Sequence, residues 1–266
     1  VGSSDGNIYA FDIDSGGKWI KLSERWRVSV GSSVWGTPAV STGTVYFGSL
    51  GKELYAVSLD DGEAVWSTPF KAGGAIATTP IVDSRRVYFG ALDGVFYAVD
   101  VKTGVKEWQF DGASNWFWAG GVVADGTIYA PSLDGNLYAL DIKSGDVRWV
   151  LETGGPIIGS PVIVGEWIAV PSMHNKVAAV YLVPLNDHSD QRRCAFGGRN
   201  SVKIRASLTA RYGKVLLKGV EYEGAVFLSA TDRSIRSLGV KQNGSFDELW
   251  VHFTNQDSPL QELNEC

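Results

Sequence analysis

Tryptophans recur at Trp26, Trp66, Trp108 and Trp149, in steps of 40, 42 and 41 residues. Tyrosines recur in phase with them, at Tyr9, Tyr55, Tyr97 and Tyr138. Aligned on these positions the units are "SSDGNIYAFDIDSG", "GSLGKELYAVSLDDG", "GALDGVFYAVDVKTG" and "PSLDGNLYALDIKSG". A degenerate fifth unit, "PSMHNKVAAVYL", starts at Pro171, and a sixth, "LSATDRSIRSLGV", starts at Leu228 and leads to Trp250. A fixed period of this length constrains the fold more than any other feature. Each repeat is one supersecondary unit that cannot bury its apolar surface alone and must stack on its neighbours.

The content of each unit is strand, turn, strand. "RVYFGA" (Arg86–Ala91) and "VFYAVD" (Val95–Asp100) are short and rich in β-branched and aromatic residues. Asp93-Gly94 and Asp134-Gly135 are tight hairpin signals, because the turn requires positive φ. Thr103-Gly104 and Ser144-Gly145 mark the next turn, and Trp108 and Trp149 fall on a fourth strand. No stretch shows a 3.6-residue apolar period. Four strands in about 40 residues is the β-propeller pattern. The expectation is an all-β chain, a single propeller over residues 1–266 with four-stranded antiparallel blades. Length over period gives about six blades, and seven or eight if the chain is a fragment. The opening "VGSSDG" falls in the middle of a unit, and "SPLQEL" (Ser258–Leu263) resembles a first strand that would complete it. Trp26, Trp66, Trp108, Trp149 and Trp250 are expected to be structural wedges between blades, since they keep the repeat period.

The motif A-x-D-x-x-[ST]-G-x-x-x-W occurs as "AVDVKTGVKEW" (Ala98–Trp108) and "ALDIKSGDVRW" (Ala139–Trp149), with a near match in "AVSLDDGEAVW" (Ala56–Trp66). "AFDIDSG" from Ala10 reaches Trp26 after six extra residues. These units resemble the tryptophan-docking repeats of the PQQ-type, quinoprotein-like β-propellers, strongly over residues 1–164 and weakly beyond. The resemblance implies two kinds of protein. One is a PQQ-dependent dehydrogenase with a calcium ion held by oxygen ligands and often a vicinal cysteine disulfide. The other is a non-catalytic propeller lipoprotein of bacterial outer-membrane assembly, extracytoplasmic and bound within a membrane-protein complex. Cys194 and Cys266 are far apart in sequence, and no residue matches a catalytic position. The reading is therefore an interaction scaffold without catalytic residues, metal or cofactor. PQQ with calcium is the alternative, and a ligand-sensing ectodomain of a larger receptor is a third.

Elsewhere the chemistry is sparse. His174, His188 and His252 lack metal-ligand spacing. Asp5, Asp93 and Asp134 belong to turns. No run of apolar residues is long enough for a transmembrane helix. Two features remain as candidate binding surfaces. The segment before each first strand aligns as "SSVWGTP" (Ser32–Pro38), "GAIATTP" (Gly74–Pro80), "SNWFWAGG" (Ser114–Gly121) and "GPIIGSP" (Gly155–Pro161). It gathers Trp35, Trp116, Phe117 and Trp118 as anchors for a partner's apolar group or as a core plug. The other feature is a basic insertion around residues 191–214. From Gln191 to Val220 the chain has eight basic residues, Arg192, Arg193, Arg199, Arg205 and Arg211 among them, and no acidic one. The rest of the chain carries 16 basic and 29 acidic residues. Such a block suits an acidic face of a partner protein or is a solvated loop. A pI near 5.3 and the lack of a recognised module argue against nucleic acid.

Overall fold

A computed structural model describes residues 1–16, 19–174 and 177–185, together with the strand backbone at 207–210, 220–222, 225–229, 234–240 and 246–253. The described residues contain strands and turns and no helix. The chain divides into two compact units, Val1–Gly120 and Gly121–Cys266.

The first unit opens with a two-stranded sheet, β1 (Asn7–Asp14) and β2 (Lys21–Ser29). Two four-stranded sheets follow. One is β3 (Ala39–Ser41), β4 (Thr44–Gly48), β5 (Glu53–Ser58) and β6 (Phe70–Lys71); the other is β7 (Ile81–Val82), β8 (Arg86–Gly90), β9 (Phe96–Asp100) and β10 (Lys106–Phe110). The second unit has three more. These are β11 (Val122–Ala124), β12 (Thr127–Pro131), β13 (Asn136–Asp141) and β14 (Val147–Glu152); then β15 (Val162–Val164), β16 (Trp167–His174), β17 (Val177–Pro184) and β18 (Ser207–Ala210); then β19 (Val220–Tyr222), β20 (Ala225–Ser229), β21 (Ser234–Val240) and β22 (Phe246–Phe253). Every pairing is antiparallel and follows chain order, so each repeat is one meander.

The repeated residues each have a local reason. Gly94 and Gly135 hold φ of 81° and 94°, as the tight turn demands. The aspartate before each glycine binds twice. Asp93 accepts the Val95 N–H at 3.0 Å and the Tyr97 hydroxyl at 2.6 Å; Asp134 accepts the Asn136 N–H at 2.9 Å and the Tyr138 hydroxyl at 2.7 Å. Asp5 does the same for Asn7 and Tyr9. The D-G-x-x-Y spacing is therefore a turn clamp. Burial and then Asp93 push the Tyr97 hydroxyl up to about 12.

The aspartate of A-x-D-x-x-[ST]-G caps the following turn. Asp141 accepts the N–H groups of Lys143 and Ser144 and pairs with Arg148 at 2.6 Å. The Arg148 guanidinium, with the Lys143 N–H second, holds this carboxyl down at about 2, against an ordinary 3.8. A folded pKa below the unfolded one adds stability that is complete above about pH 4 and is lost as pH falls toward 2. The urea midpoint of the parent should therefore drop between pH 4 and 2 more than that of Asp141→Asn. Parallel curves for the two proteins would reject this role.

Core positions alternate along the middle strands. Val87 and Phe89 of β8 join Leu54 and Ala56 of β5, Tyr97 and Val99 of β9, and Trp66 in one buried cluster. Ile8, Trp26, Val34, Val45, Phe47 and Val57 form another. In the second unit, Tyr129, Leu137 and Leu151 pack with Ile157, Ile168 and Val170.

Candidate functional site

The segment before each first strand is fixed by its own backbone. Val34 donates its N–H to Ser3 O at 2.9 Å, Ile76 to Ser49 O at 3.0 Å, Phe117 to Ala91 O at 3.2 Å and Ile157 to Ser132 O at 3.2 Å. These four side chains are equivalent in the alignment, and all four are buried. In the first unit a glycine makes room for each. A Cβ on Gly2 would stand 2.6 Å from the Val34 side chain, and one on Gly48 or Gly90 would overlap Ile76 or Phe117. Phe117 therefore does not belong to an exposed aromatic set: it is a core plug at 0% exposure, stacked edge-on against Phe96 at 5.4 Å.

The next residue along each segment is less buried, exposed at Trp35 and half-buried at the other three. In the first unit these positions hold Trp35, Ala77 and Trp118. Trp35 is 56% exposed and meets Trp118 edge to face, with ring centroids 6.2 Å apart and planes at 68°. Trp116 lies beside them, about half exposed. Locked backbone with displayed indoles is the arrangement of an apolar anchor site, since little entropy is lost when a partner docks.

A second feature adjoins this pair. An apolar cleft of about 680 Å³ runs from Trp35, Pro38 and Val40 to Ile8, Phe11 and Ile13. None of its lining side chains is charged. The sequence marks it only indirectly. Phe11 and Ile13 alternate with Asp12 and Asp14 along β1.

The repeat tryptophans sit elsewhere. Trp26 donates its indole N–H to Leu59 O at 2.9 Å, and Trp66 donates to Val101 O at 3.1 Å. Both carbonyls belong to the turn after the third strand of the following repeat, β5 or β9. Trp66 is buried, whereas Trp108 and Trp149 are half-buried because they ride the outermost strand, tilted against Tyr88 and Tyr129. Trp250 pairs with Ser237 in the β21–β22 ladder. Arg192, Arg193, Arg199, Arg205 and Arg211 lie outside the described residues, as do Cys194, Cys266 and the Ser258–Leu263 segment.

Among the described residues no three carboxylate, histidine or cysteine groups converge on one point. The carboxylates of Asp5, Asp93 and Asp134 are already engaged by their turns. Among the described residues no helix is long and apolar enough to cross a membrane.

A family model described as "Outer membrane protein assembly factor BamB" matches residues 4–183. Among solved structures, BamB from Moraxella catarrhalis is similar at a TM-score of 0.66 and 17% identity, over 95% of this chain and 72% of that one. The computationally designed protein Ika8 is similar at a TM-score of 0.66 and 13% identity, over 88% and 68% of the two chains. No curated protein matches. The likeness to the first of these establishes the all-β propeller fold with four-stranded antiparallel sheets.

Proposed function

The chain belongs to the family of the outer membrane protein assembly factor BamB, and on that premise we propose that it is a non-catalytic β-propeller scaffold. It docks a protein partner within an envelope-associated, extracytoplasmic complex. The observation that carries this reading is the exposed Trp35, meeting the half-buried Trp118 edge to face, on segments whose backbone is hydrogen-bonded at Val34 and Phe117. Rigid indoles beside an uncharged cleft suit an apolar anchor of a partner and no reaction. The arginines from Arg192 to Arg211 supply a second contact in this reading, carried by the charge pattern of the sequence alone.

The test uses a purified complex that assembles outer membrane proteins, stripped of its own BamB. The parent chain should bind it, and Trp118→Ala should weaken binding at least about tenfold, or about 1.4 kcal/mol. Trp35→Ala should weaken it likewise with the unfolding midpoint hardly moved, because that indole is 56% exposed. Binding unchanged in both Trp35→Ala and Trp118→Ala would overturn the assignment of the surface. Dye-linked oxidation of an alcohol or aldose that needs added PQQ and calcium would overturn the non-catalytic reading.

A further inference from the structure

Six aspartates in the chain precede a glycine: Asp5, Asp61, Asp93, Asp111, Asp125 and Asp134. Four of them have their carboxylate engaged. Asp5, Asp61, Asp93 and Asp134 accept the N–H two residues on, from Asn7, Glu63, Val95 and Asn136, at 2.9 to 3.0 Å. Asp125 is exposed, but it stands in the two-residue turn closed by the Ala124–Thr127 pair, at φ 46° with Gly126 at 70°. Asp111 has neither restraint. It follows β10 in irregular backbone, and both it and Gly112 are exposed. Neither the Asp111 carboxylate nor the Gly112 N–H makes a hydrogen bond among the described residues. The other repeats show what is missing. Val30, Ala72 and Thr153 occupy the same place after their tryptophans and donate N–H to Gly6 O, Lys52 O and Gly135 O at 2.9, 2.8 and 2.9 Å. Gly112 makes no such bond to Gly94. Packing keeps it a glycine, since a Cβ there would stand 2.6 Å from the Phe110 ring. The nitrogen therefore stays unshielded by a side chain.

We infer that Asp111–Gly112 is a self-modification site, where the main chain rearranges to isoaspartate and so releases the Trp116–Trp118 display from its partner. The Gly112 nitrogen gives up its proton to solvent and bonds to Asp111 Cγ, while the Cγ hydroxyl leaves as water. The product is a succinimide, one water lighter than the parent. Water then cleaves the original Asp111–Gly112 peptide bond within that ring. The chain now runs through Cγ, with one extra methylene and the parent mass; opening at Cγ instead restores aspartate. Ring closure needs the nitrogen and Cγ to turn toward each other, and positioning of this kind governs its rate. A bonded N–H, as at Val30 or Ala72, or a held carboxylate, as at Asp93, opposes that turn. The extra methylene enters the segment that carries the indoles. Ala113 and Asn115 lie on the Asp93-Gly94 turn, where a Cβ on Gly94 would be 3.4 and 3.3 Å from their carbonyl oxygens, and the Phe117 N–H rests on Ala91 O at 3.2 Å. A longer link just upstream shifts this seat. The consequence for docking rests on the scaffold reading; the chemistry at Asp111 does not.

The parent is aged in warm, mildly acidic buffer and digested, and isoaspartate is located by electron-transfer fragmentation of the peptides. Asp111 should carry the largest fraction, at least about tenfold above Asp5, Asp61, Asp93 and Asp134, as expected where the reacting groups are held apart. Asp125 should fall between. In urea all six sites should isomerise at similar rates, because each is followed by the same residue. Equal fractions across the folded chain, or a larger one at Asp125 than at Asp111, would overturn the site. Asp111→Glu keeps the charge and leaves only a less favoured six-membered ring. Aged beside the parent, it should keep its binding to the assembly complex, while the parent loses binding in proportion to the isoaspartate found at Asp111. The same loss in both aged proteins, or none in either, would overturn the release of the display. Failure of the scaffold reading looks different. If fresh Trp35→Ala and Trp118→Ala bind as the parent does while isoaspartate still gathers at Asp111, the docking surface is rejected and the modification site stands.

Discussion

Trp66→Ala is expected to destabilise the chain by about 3–5 kcal/mol, the range for emptying a large aromatic from a packed core. Trp66 is 3% exposed and has two sets of contacts. Its ring packs against Tyr46 of its own sheet, with centroids 5.8 Å apart, and its N–H reaches Val101 O, in the turn after β9 of the next repeat, at 3.1 Å. The substitution removes a wedge between two repeats as well as a core residue. Neither sheet buries its face alone, so relaxation cannot easily fill the gap. Urea unfolding followed by far-ultraviolet circular dichroism measures the loss. A cost below 1 kcal/mol would show that the indole fills space without joining the sheets.

The position of Trp66 also shows how much the sequence disclosed. The period, the glycine turns and the order of strands were legible because each repeat states them again. The aspartate clamps were legible as turn residues, although the tyrosine bond that completes each of them was not anticipated. The placing of Trp66 itself follows the period and not the strand pattern: it precedes the short β6 (Phe70–Lys71), whereas Trp108 and Trp149 lie within β10 and β14. Periodicity could not tell Phe117 from its neighbours. Three consecutive aromatics, Trp116, Phe117 and Trp118, look alike in sequence. Only the N–H of Phe117 held by Ala91 O, with Gly90 leaving room for the ring, turns that one inward. The cleft was hidden for a related reason. A repeat predicts the strands that recur, and the cleft lies beside the sheet that has two among the described residues.

The wedge also explains the glycine of the motif, and here a double substitution gives the sharper result. Gly104 stands at φ 70°, and a Cβ there would lie 2.8 Å from Cδ2 and Cε3 of Trp66. Gly62 meets Trp26 in the same way at 3.0 Å. The Thr103-Gly104 turn, like the Asp61-Gly62 turn, is thus the floor on which the tryptophan of the preceding repeat rests. Gly104→Ala should cost about 1 kcal/mol for the left-handed backbone and a further ~1–3 kcal/mol for overpacking against a ring that cannot retreat. Gly43 isolates the first of these. It also has positive φ, 77°, but nothing within 4 Å of a Cβ, so Gly43→Ala should cost only about 1 kcal/mol. In a Trp66→Ala background the ring is gone, and Gly104→Ala should fall to the Gly43→Ala value. The resulting coupling between positions 66 and 104, about 1–3 kcal/mol, is of the size found for residues in direct contact. Additive losses would mean that Gly104 is required by its turn alone and that the tryptophan is held by other contacts.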